Sequence, residues 1–347
     1  MIKFSICIPH FNRFEYLKKS LKTLELQSYP ELEIIVGDDC SSDETKLGIQ
    51  DIQLTFRHKL VYHRFESNQG YDRNFRKSIE LASGHYAIVI GNDDTINPDF
   101  SLLKLADFIE NNGFPELGFS NFLEDEIKRK FVQRAAATAI LGSGYGVAMN
   151  YYSCFSFVGG TIWKKESFDR FNSESQDGSI YSQIYLAVLM ISRGCRLFSI
   201  KEPMVIKDLV LENQKERNSY LQTIARKWTD YKPLNGGLHS VIHVLIEGLR
   251  AAGVLNQART YLVFRRIYTL TYPYWLLDYR THGAFPAAVG LMQGMVPHRS
   301  PDIGLLNGMQ TIRLWVWYSL ASLAGLVTPL FIFTRTKSLL YKMVKRR

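Results

Sequence analysis

Short apolar runs alternate with segments of helical spacing through the first 110 residues, and this alternation constrains the fold more than any other feature. The runs typical of buried strands are Lys3–Ile8, Leu32–Val36, Leu60–Phe65 and Tyr86–Ile90. The segments with helical spacing are Phe14–Gln27, Tyr71–Ala82 and Asp99–Glu110. Strands separated by helices pair in parallel, and the helices cover both faces of the sheet. The sequence therefore predicts an α/β domain with a mostly parallel central sheet.

Polar clusters follow each of the predicted strands. They lie at Pro9–Arg13, Gly37–Asp43, Glu66–Gly70 and Gly91–Asp94. In open α/β sheets ligands bind at the carboxyl ends of the strands, so these clusters mark the expected binding site. Neither a Gly-x-Gly-x-x-Gly nor a Gly-x-x-x-x-Gly-Lys loop follows the first strand. This absence argues against a dinucleotide-dependent dehydrogenase and a Walker-type ATPase.

Two acidic pairs, Asp38-Asp39 and Asp93-Asp94, each follow an apolar strand. A single acidic residue at a strand end commonly caps a helix or forms a turn. Adjacent carboxylates repel each other, and both stay ionised only when a cation or hydrogen-bond donors lie nearby. Hard oxygen ligands suit Mg²⁺ or Mn²⁺, which usually bridge to substrate phosphates. We therefore expect Asp93-Asp94 to bind a divalent metal for a diphosphate, and Asp38-Asp39 to be free for a base or ribose.

Five motifs in order carry a resemblance to a known family. They are Ser-Ile-Cys-Ile-Pro-His-Phe-Asn-Arg at 5–13, Val-Gly-Asp-Asp-Cys-Ser-Ser-Asp at 36–43, Asn-Gln-Gly-Tyr-Asp-Arg-Asn at 68–74, Ala-Ser-Gly-His-Tyr at 82–86 and Gly-Asn-Asp-Asp at 91–94. Together they resemble the family 2 glycosyltransferases, which are inverting enzymes with a GT-A fold. The resemblance implies a GT-A nucleotide-sugar-binding domain over residues 1–212 and leaves a helical region over residues 213–347.

The resemblance also implies a role for each matching residue. Pro9, Phe11, Asn12 and Arg13 match the loop that supports the nucleotide base. Asp38 and Asp39 match the motif whose second aspartate contacts the base. The stretch that closes over ribose and diphosphate corresponds to Asn68, Gly70, Arg73 and Asn74, where Arg73 would offset phosphate charge. Asn92, Asp93 and Asp94 match the end of the Asp-x-Asp-Asp metal motif. Gly91 replaces the first aspartate of that motif, so the ribose contact of the lost carboxylate is in question.

The catalytic base is less well defined than the donor site. An inverting transfer needs a group that takes the proton of the acceptor hydroxyl. In the family this base is often an aspartate in a helix that ends in Arg-Gly. The corresponding helix here is Ile180–Arg193, and Gln183 stands at the position of the aspartate. An amide cannot act as a base, and the nearest carboxylate is Asp177, which is also typical of a turn or helix cap. Asp208 follows a strand at Met204–Ile206, but no histidine is there to complete a metal site.

A glycine-rich segment, Val158–Gly160, resembles the acceptor strand of the family, although an ordinary bulge has the same pattern. Trp163 follows it. A tryptophan at this place could stack on a sugar ring, but a lone tryptophan more often belongs to the core. These two features leave the acceptor side of the site open.

The net charge of +9 is unevenly distributed along the chain. Residues 201–347 hold 20 Lys/Arg and 8 Asp/Glu, whereas residues 1–200 hold 22 and 25. Aromatic and apolar runs separate the basic residues, and no nucleic-acid motif is present, so we expect no nucleic-acid partner. The pattern favours contact with an anionic membrane surface. The apolar run before Pro9 is too short for a signal peptide, so we expect the protein at the cytoplasmic face of the inner membrane.

The uncharged run Leu314–Phe333 admits three interpretations. Its 20 residues suit a membrane-spanning helix. A single span would put the basic tail outside, against the positive-inside rule, and Gly325 and Pro329 interrupt the run. An in-plane or re-entrant arrangement keeps the domain and the tail on the same side. A buried core helix or a homo-oligomer interface is the third interpretation.

These observations together predict a membrane-associated, metal-dependent inverting glycosyltransferase. The expected donor is a nucleotide-diphosphate sugar, and the expected acceptor is a polyprenyl-diphosphate-linked oligosaccharide, as in O-antigen or capsule assembly. Two alternatives stay open: transfer to a bare polyprenyl phosphate, and a non-catalytic subunit that binds a nucleotide sugar or glycan. Gly91 and Gln183 motivate the second alternative.

Overall fold

The computed structural model describes residues 1–211 and 237–345. Within them, ten strands form one sheet in the order β3-β2-β1-β4-β9-β6-β10-β5, with β7 beside β6 and β8 beside β10. The strands are β1 Phe4–His10, β2 Leu32–Asp38, β3 Lys59–Arg64, β4 Tyr86–Val89, β5 Thr95–Ile96, β6 Leu117–Glu124, β7 Lys130–Val132, β8 Ala139–Gly142, β9 Thr161–Lys164 and β10 Leu197–Lys207.

The sheet is mixed, so the expectation of a mostly parallel sheet is wrong. Strands β1 to β4 pair in parallel, in keeping with the strand-helix alternation at the start of the chain. Strand β9 then inserts antiparallel between β4 and β6, and β5, β7 and β8 also pair antiparallel. The expected strand Met204–Ile206 is the end of the longer strand β10, which pairs in parallel with β6.

Helices cover the first part of the sheet as the apolar spacing predicts. The described α-helices are α1 Phe14–Glu25, α2 Thr45–Gln53, α3 Tyr71–Glu80, α4 Leu102–Asn111, α5 Tyr145–Tyr151, α6 Lys165–Phe171, α7 Ser182–Ser192, α8 Leu238–Ala251, α9 Gln257–Arg266, α10 Tyr272–Thr281, α11 Phe285–Gly294, α12 Gly308–Val327 and α13 Leu330–Lys345. Helix α2 lies between two of the expected strands, in a stretch that the sequence left unassigned. Trp163 is fully buried against Phe75, Phe155 and Phe168, so it belongs to the core.

Two compact units divide the chain. The first contains Met1–Ala148, Cys154–Asp177 and the described residues of Met190–Arg217. The second contains Met149–Ser153, Gly178–Leu189 and the described residues of Asn218–Arg347. The expected domain boundary between residues 212 and 213 lies outside the described residues and stays a prediction.

Helices make up most of the described part of the second unit. In α8, Ile242, Leu245 and Leu249 are fully buried. Helix α10 packs against α12, where Tyr272 stacks on Tyr318 with ring centroids 6.0 Å apart and Leu276 fills the space above Gly325. No single described helix has the length and hydropathy to cross a membrane. Helix α12 and the start of α13 have them only when taken together, as a pair bent by 102°. The run Leu314–Phe333 is therefore divided between two helices, α12 and α13.

Glu33 links the amino ends of the parallel strands. Its carboxylate is buried and accepts hydrogen bonds from the hydroxyls of Ser5 and Ser83 at 2.6 and 2.7 Å. Lys3 and Lys59 pair with the same carboxylate at 3.0 and 3.2 Å. Burial opposes ionisation of Glu33, but the hydrogen bonds from Ser5 and Ser83 outweigh it and lower the pKa to about 2.

We predict that Glu33→Gln lowers the free energy of unfolding by about 2–3 kcal/mol at pH 7, because a pKa shift of one unit is worth about 1.4 kcal/mol. The pKa is lower in the folded protein than in the unfolded chain. The stabilisation is therefore complete above the unfolded pKa and is lost as the pH falls towards 2. Urea denaturation at pH 7 and pH 3 tests this. Glu31 is exposed and close in sequence, so Glu31→Gln is the control. Equal losses of unfolding free energy in both variants at pH 7 would contradict the prediction.

Candidate active site

The carboxyl ends of β1, β2 and β4 bring together the polar clusters at residues 9–13, 37–43 and 91–94. The loop after β1 is held in an uncommon conformation, since Asn12 and Arg13 both have positive φ angles, 54° and 62°. Asn12 donates its N–H to the Ser41 hydroxyl and accepts the N–H of Ser42 with its side-chain oxygen. The loops after β1 and β2 therefore hold each other in place.

Asp38 has partners within the protein for both of its oxygens. Oδ1 accepts hydrogen bonds from the N–H and hydroxyl of Ser41, and Oδ2 accepts one from the Tyr62 hydroxyl at 2.6 Å. Arg64 lies 3.4 Å from Oδ2. The side chain is fully buried. The expectation that both carboxylates of this pair are free for a ligand is therefore wrong for Asp38, which holds the loop after β2.

Asp39 holds the next loop of the site. Its two oxygens accept the backbone N–H groups of Gln69 and Gly70 at 2.6 and 3.0 Å. Asn68 donates from its side chain to the Asp39 carbonyl, and its own side-chain oxygen accepts the Gly70 N–H at 3.1 Å. Burial raises the pKa of Asp39, and the two N–H donors lower it, with a net upward shift. The structure thus joins Asp39, Asn68 and Gly70, three residues that the motifs singled out.

The remaining residues of the 68–74 motif contact the scaffold. Asn74 is buried and donates to the carbonyls of His10 and Gly37 at 3.0 and 2.8 Å, which ties the ends of β1 and β2 together. Arg73 pairs with Glu80 on the same helix at 2.7 Å. Two other cations lie beside the second acidic pair: Arg13, whose Nη1 is 2.8 Å from Asp93 Oδ2, and Lys207, whose Nζ is 3.4 Å from the neighbouring Asp208. The expected role of Arg73 at the diphosphate stays a prediction.

The second acidic pair has a third carboxylate beside it, that of Asp208. The Asp208 N–H donates to Asp94 Oδ1 at 3.1 Å, and the next N–H, of Leu209, donates to the Asp93 carbonyl. Asp208 follows β10, as the sequence predicts, but the sequence does not show that this strand end lies beside Asp93 and Asp94. Asn92 lies near the loop after β1, with its amide nitrogen 3.4 Å from the Phe11 carbonyl.

Gly91 gives the Asp94 carboxylate its space. Asp94 is almost fully buried, and its Oδ2 accepts the Gly91 N–H at 3.1 Å. A Cβ atom at Gly91 would lie 2.7 Å from this oxygen, and one at Gly159 would lie 3.0 Å from it. The aspartate that the family has at position 91 would therefore displace Asp94. This packing gives a physical reason for the departure from the motif, and it brings the segment Val158–Gly160 up against the acidic pair.

Burial makes this carboxylate cluster electrostatically unfavourable. Desolvation raises the pKa of Asp94, and the charges of Asp93 and Asp208 raise it further. The pKa of Asp93 is also raised by desolvation, although Arg13 opposes the shift. Crowded carboxylate oxygens are the donor set that Mg²⁺ and Mn²⁺ prefer, and a bound cation would remove the repulsion. Asp93 and Asp94 thus offer oxygen ligands of the type that these ions prefer, and their assignment to a divalent metal stays a prediction.

The two candidate catalytic residues have different surroundings. Asp177 forms a two-pronged ion pair with Arg76, with contacts of 2.9 and 2.5 Å to its two oxygens. Arg76 is buried, so this pair fastens the segment before α7 to α3. Gln183 belongs to the second unit and is buried, and its Oε1 has no hydrogen-bond partner among the described residues. Neither side chain is arranged as a free base.

Comparison with known proteins gives a family and a fold. Residues 5–196 match the model of glycosyl transferase family 2. The abequosyltransferase RfbV of Salmonella typhimurium is 27% identical over 218 residues, which cover 58% of this chain and 65% of that protein. The GalNAc(5)-diNAcBac-PP-undecaprenol beta-1,3-glucosyltransferase of Campylobacter jejuni is 34% identical over 96 residues, 28% of this chain and 31% of that one. The matches thus span less than two thirds of these relatives.

Solved structures share the fold at low sequence identity. Residues 1–349 of S. aureus TarS in complex with UDP-GlcNAc superpose with a TM-score of 0.60 at 15% identity, covering 97% of this chain and 92% of that one. The mannosyltransferase PcManGT of Pyrobaculum calidifontis, in complex with GDP-Man and Mn²⁺, gives a TM-score of 0.50 at 16% identity, covering 99% and 86%. Both likenesses support the GT-A architecture and carry no information on this chain's substrates.

We predict that Asp177→Asn lowers the free energy of unfolding by about 2 kcal/mol, because it leaves the buried Arg76 without its main partner and Asp177 itself is partly exposed. Transfer activity per folded molecule should fall less than tenfold, whereas loss of a general base costs about 100-fold or more. Denaturation and a transfer assay test this. Asp169→Asn, which breaks an exposed pair with Lys165, is the control. A folded Asp177→Asn protein with a loss above 100-fold would make Asp177 the base.

Proposed function

The chain belongs to glycosyl transferase family 2 and is a glycosyltransferase; from this premise we propose that it moves a sugar from a nucleotide-diphosphate donor to a polyprenyl-diphosphate-linked oligosaccharide. The process would be a surface-polysaccharide assembly of the O-antigen or capsule type. The observation that carries the proposal is the carboxylate cluster of Asp93, Asp94 and Asp208 beside Arg13, at the carboxyl ends of the nucleotide-binding strands.

The donor's nucleotide would lie between the loop at residues 9–13 and the loop at residues 66–70. Asp39 supports this assignment because its carboxylate already orders Gln69 and Gly70 by accepting their N–H groups. Gly70 has a φ of 85° and open space where a Cβ would stand, which lets a ligand approach the backbone. The diphosphate would extend from there towards Arg13 and Asp93. Arg13 is partly exposed, so it can exchange its pairing with Asp93 for a phosphate oxygen.

The reaction needs stabilisation of the leaving diphosphate and removal of a proton from the acceptor hydroxyl. A divalent cation held by Asp93, Asp94 and Asp208 would supply charge neutralisation at the diphosphate. Arg13 adds a positive charge at the same place. Gly159 packs against Asp94 on the side where the acceptor would approach. Gln183 cannot accept the proton, so we assign it no chemical step.

The names of the relatives support a lipid-linked acceptor. The Campylobacter jejuni enzyme is named for an undecaprenol-diphosphate-linked saccharide, and the Salmonella enzyme for transfer of abequose. We propose a lipid-linked acceptor for this chain as well, but we do not propose either of the sugars in the relatives' names. The acceptor's lipid lies in the membrane, so the enzyme must work at a membrane surface, and the cytoplasmic face is where nucleotide sugars are available.

An exposed apolar face on α12 supports contact with that membrane. Ile312, Val316, Leu320, Leu323 and Val327 recur at helical spacing and are each more than half exposed. The opposite side of α12 packs on α10, so this face is unpartnered within the described second unit. Exposed Trp315 and Trp317 suit a membrane interface, and Arg313 and Arg335 suit anionic headgroups. The bend between α12 and α13 favours an in-plane or re-entrant position over a span.

We predict that Asp93→Asn reduces sugar transfer at least about 100-fold, because one of the groups that compensates charge at the diphosphate is lost. Membranes are incubated with a panel of labelled nucleotide sugars, and labelled lipid-linked product is counted. Chelator should abolish the wild-type activity. Asp99→Asn, which breaks a surface pair with Arg129, is the control. Wild-type rates in Asp93→Asn with chelator present would refute the metal role.

A further prediction concerns vesicle binding. Leu320→Glu should weaken partitioning into vesicles of anionic phospholipid about tenfold or more, because a buried leucine contributes about 1.5–3 kcal/mol and each 1.4 kcal/mol is tenfold. Co-sedimentation measures the effect. Leu103→Glu, at an equally exposed leucine of α4, is the matched control. If Leu320→Glu instead changes the molar mass in light scattering and leaves vesicle binding intact, the face is a homo-oligomer interface and the proposal is wrong.

A further inference from the structure

We propose that His243, Glu247 and Asp302 in the second unit form a binding site for a divalent transition metal, with Zn²⁺ as the best match. His243 and Glu247 are four residues apart on α8, so both project from the same face of the helix. Asp302 comes from the segment between two short 3₁₀ turns, Pro297–Arg299 and Ile303–Leu305. This site is independent of the donor site and of the proposed transfer reaction.

The distances suit metal ligands. His243 Nδ1 lies 3.2 and 3.0 Å from the two oxygens of Asp302. One ligand atom of each of the three residues can be chosen so that all lie within 4.8 Å of one another. Ligands bound to tetrahedral Zn²⁺ at about 2.0–2.1 Å are separated from each other by about 3.3 Å. His243 and Asp302 already have this spacing, and a Glu247 oxygen lies within 4.8 Å of both.

The ligand types also favour a metal of this class. One imidazole and two carboxylates give a mixed nitrogen and oxygen set, which zinc accepts readily, with a water molecule in the fourth position. Asp302 is buried, whereas His243 and Glu247 are partly exposed, so a cation can enter from solvent. His239, one turn before His243, is not a ligand, because its Nε2 bonds to the Tyr268 hydroxyl at 3.1 Å.

The surroundings hold the three side chains in place. Arg250 pairs with Glu247 and so orients its carboxylate. The Asp302 carbonyl accepts the Leu305 N–H at 3.0 Å, which fixes the turn that carries the aspartate. Ser300, two residues earlier, is buried and its hydroxyl has no hydrogen-bond partner among the described residues. A bound metal would fasten α8 to the segment that leads into α12.

An ordinary ion pair is the competing interpretation, and it makes a different prediction. A His243–Asp302 pair accounts for two of the three residues and needs no contribution from Glu247. A metal site needs all three. Glu247→Gln is therefore the decisive variant, since it leaves both partners of the His243–Asp302 contact in place, removes a metal ligand and otherwise breaks only the surface pair with Arg250.

The experiment titrates chelator-stripped, full-length protein with ZnCl₂ in detergent and follows binding by calorimetry and by the melting temperature. The Asp93→Asn background removes binding at the donor site. We expect one equivalent of Zn²⁺ and a rise in the melting temperature. His243→Ala and Glu247→Gln should each weaken this binding at least tenfold, and the exposed histidine in His298→Ala serves as the control.

Two results would overturn the proposal. The first is no binding of Zn²⁺ to the Asp93→Asn protein, which would leave an ion pair only. The second is unchanged affinity in Glu247→Gln and His243→Ala, which would place the ion elsewhere. Circular dichroism verifies that both variants are folded. A failure here leaves sugar transfer untouched, so it is distinguishable from a failure of the proposed function.

Discussion

The burial of several carboxylates at one end of the central sheet is the constraint on which the site depends. Asp94 is held against Asp93 and Asp208, and desolvation makes this arrangement unfavourable unless positive charge is near. Positions 91 and 159 are both glycines, and a Cβ at either position would crowd the Asp94 carboxylate. Arg13 offsets part of the charge. Such a cluster of negative charge favours a cation beside it, because a positive charge relieves the repulsion between the carboxylates.

Buried side-chain hydrogen bonds tie the strands and loops around this site to one another. Glu33 joins the amino ends of the parallel strands, and Asn74 joins the carboxyl ends of β1 and β2. Asp38 and Asp39 hold different loops. Asp38 holds the loop after β2, and Asp39 holds the loop at residues 66–70. Adjacent acidic residues thus have different structural roles. Their hydrogen-bond partners determine these roles, and their spacing in the sequence does not predict them.

The tertiary structure shows partners that the motifs could not. Arg73 pairs with Glu80, and its expected place at the diphosphate stays a prediction, while Arg13 and Lys207 lie at the acidic cluster. Asp177 is the nearest carboxylate to the position of the base, yet Arg76 holds both of its oxygens. The mixed sheet arises because β9 and β5 insert between or beside strands that are distant in sequence. Local patterns carry no information on such long-range pairings.

The sequence by itself determined the family, the alternation of strands and helices over the first 110 residues, and the strand-end clusters, because apolar periodicity and ordered motifs are local properties. It also identified an apolar run among basic residues near the end of the chain. Only the tertiary structure decided that Asp208 joins Asp93 and Asp94, that the run is bent between α12 and α13, and that His243, Glu247 and Asp302 meet. The reason is physical: contacts between distant residues are set by packing and strand order, which depend on the whole fold.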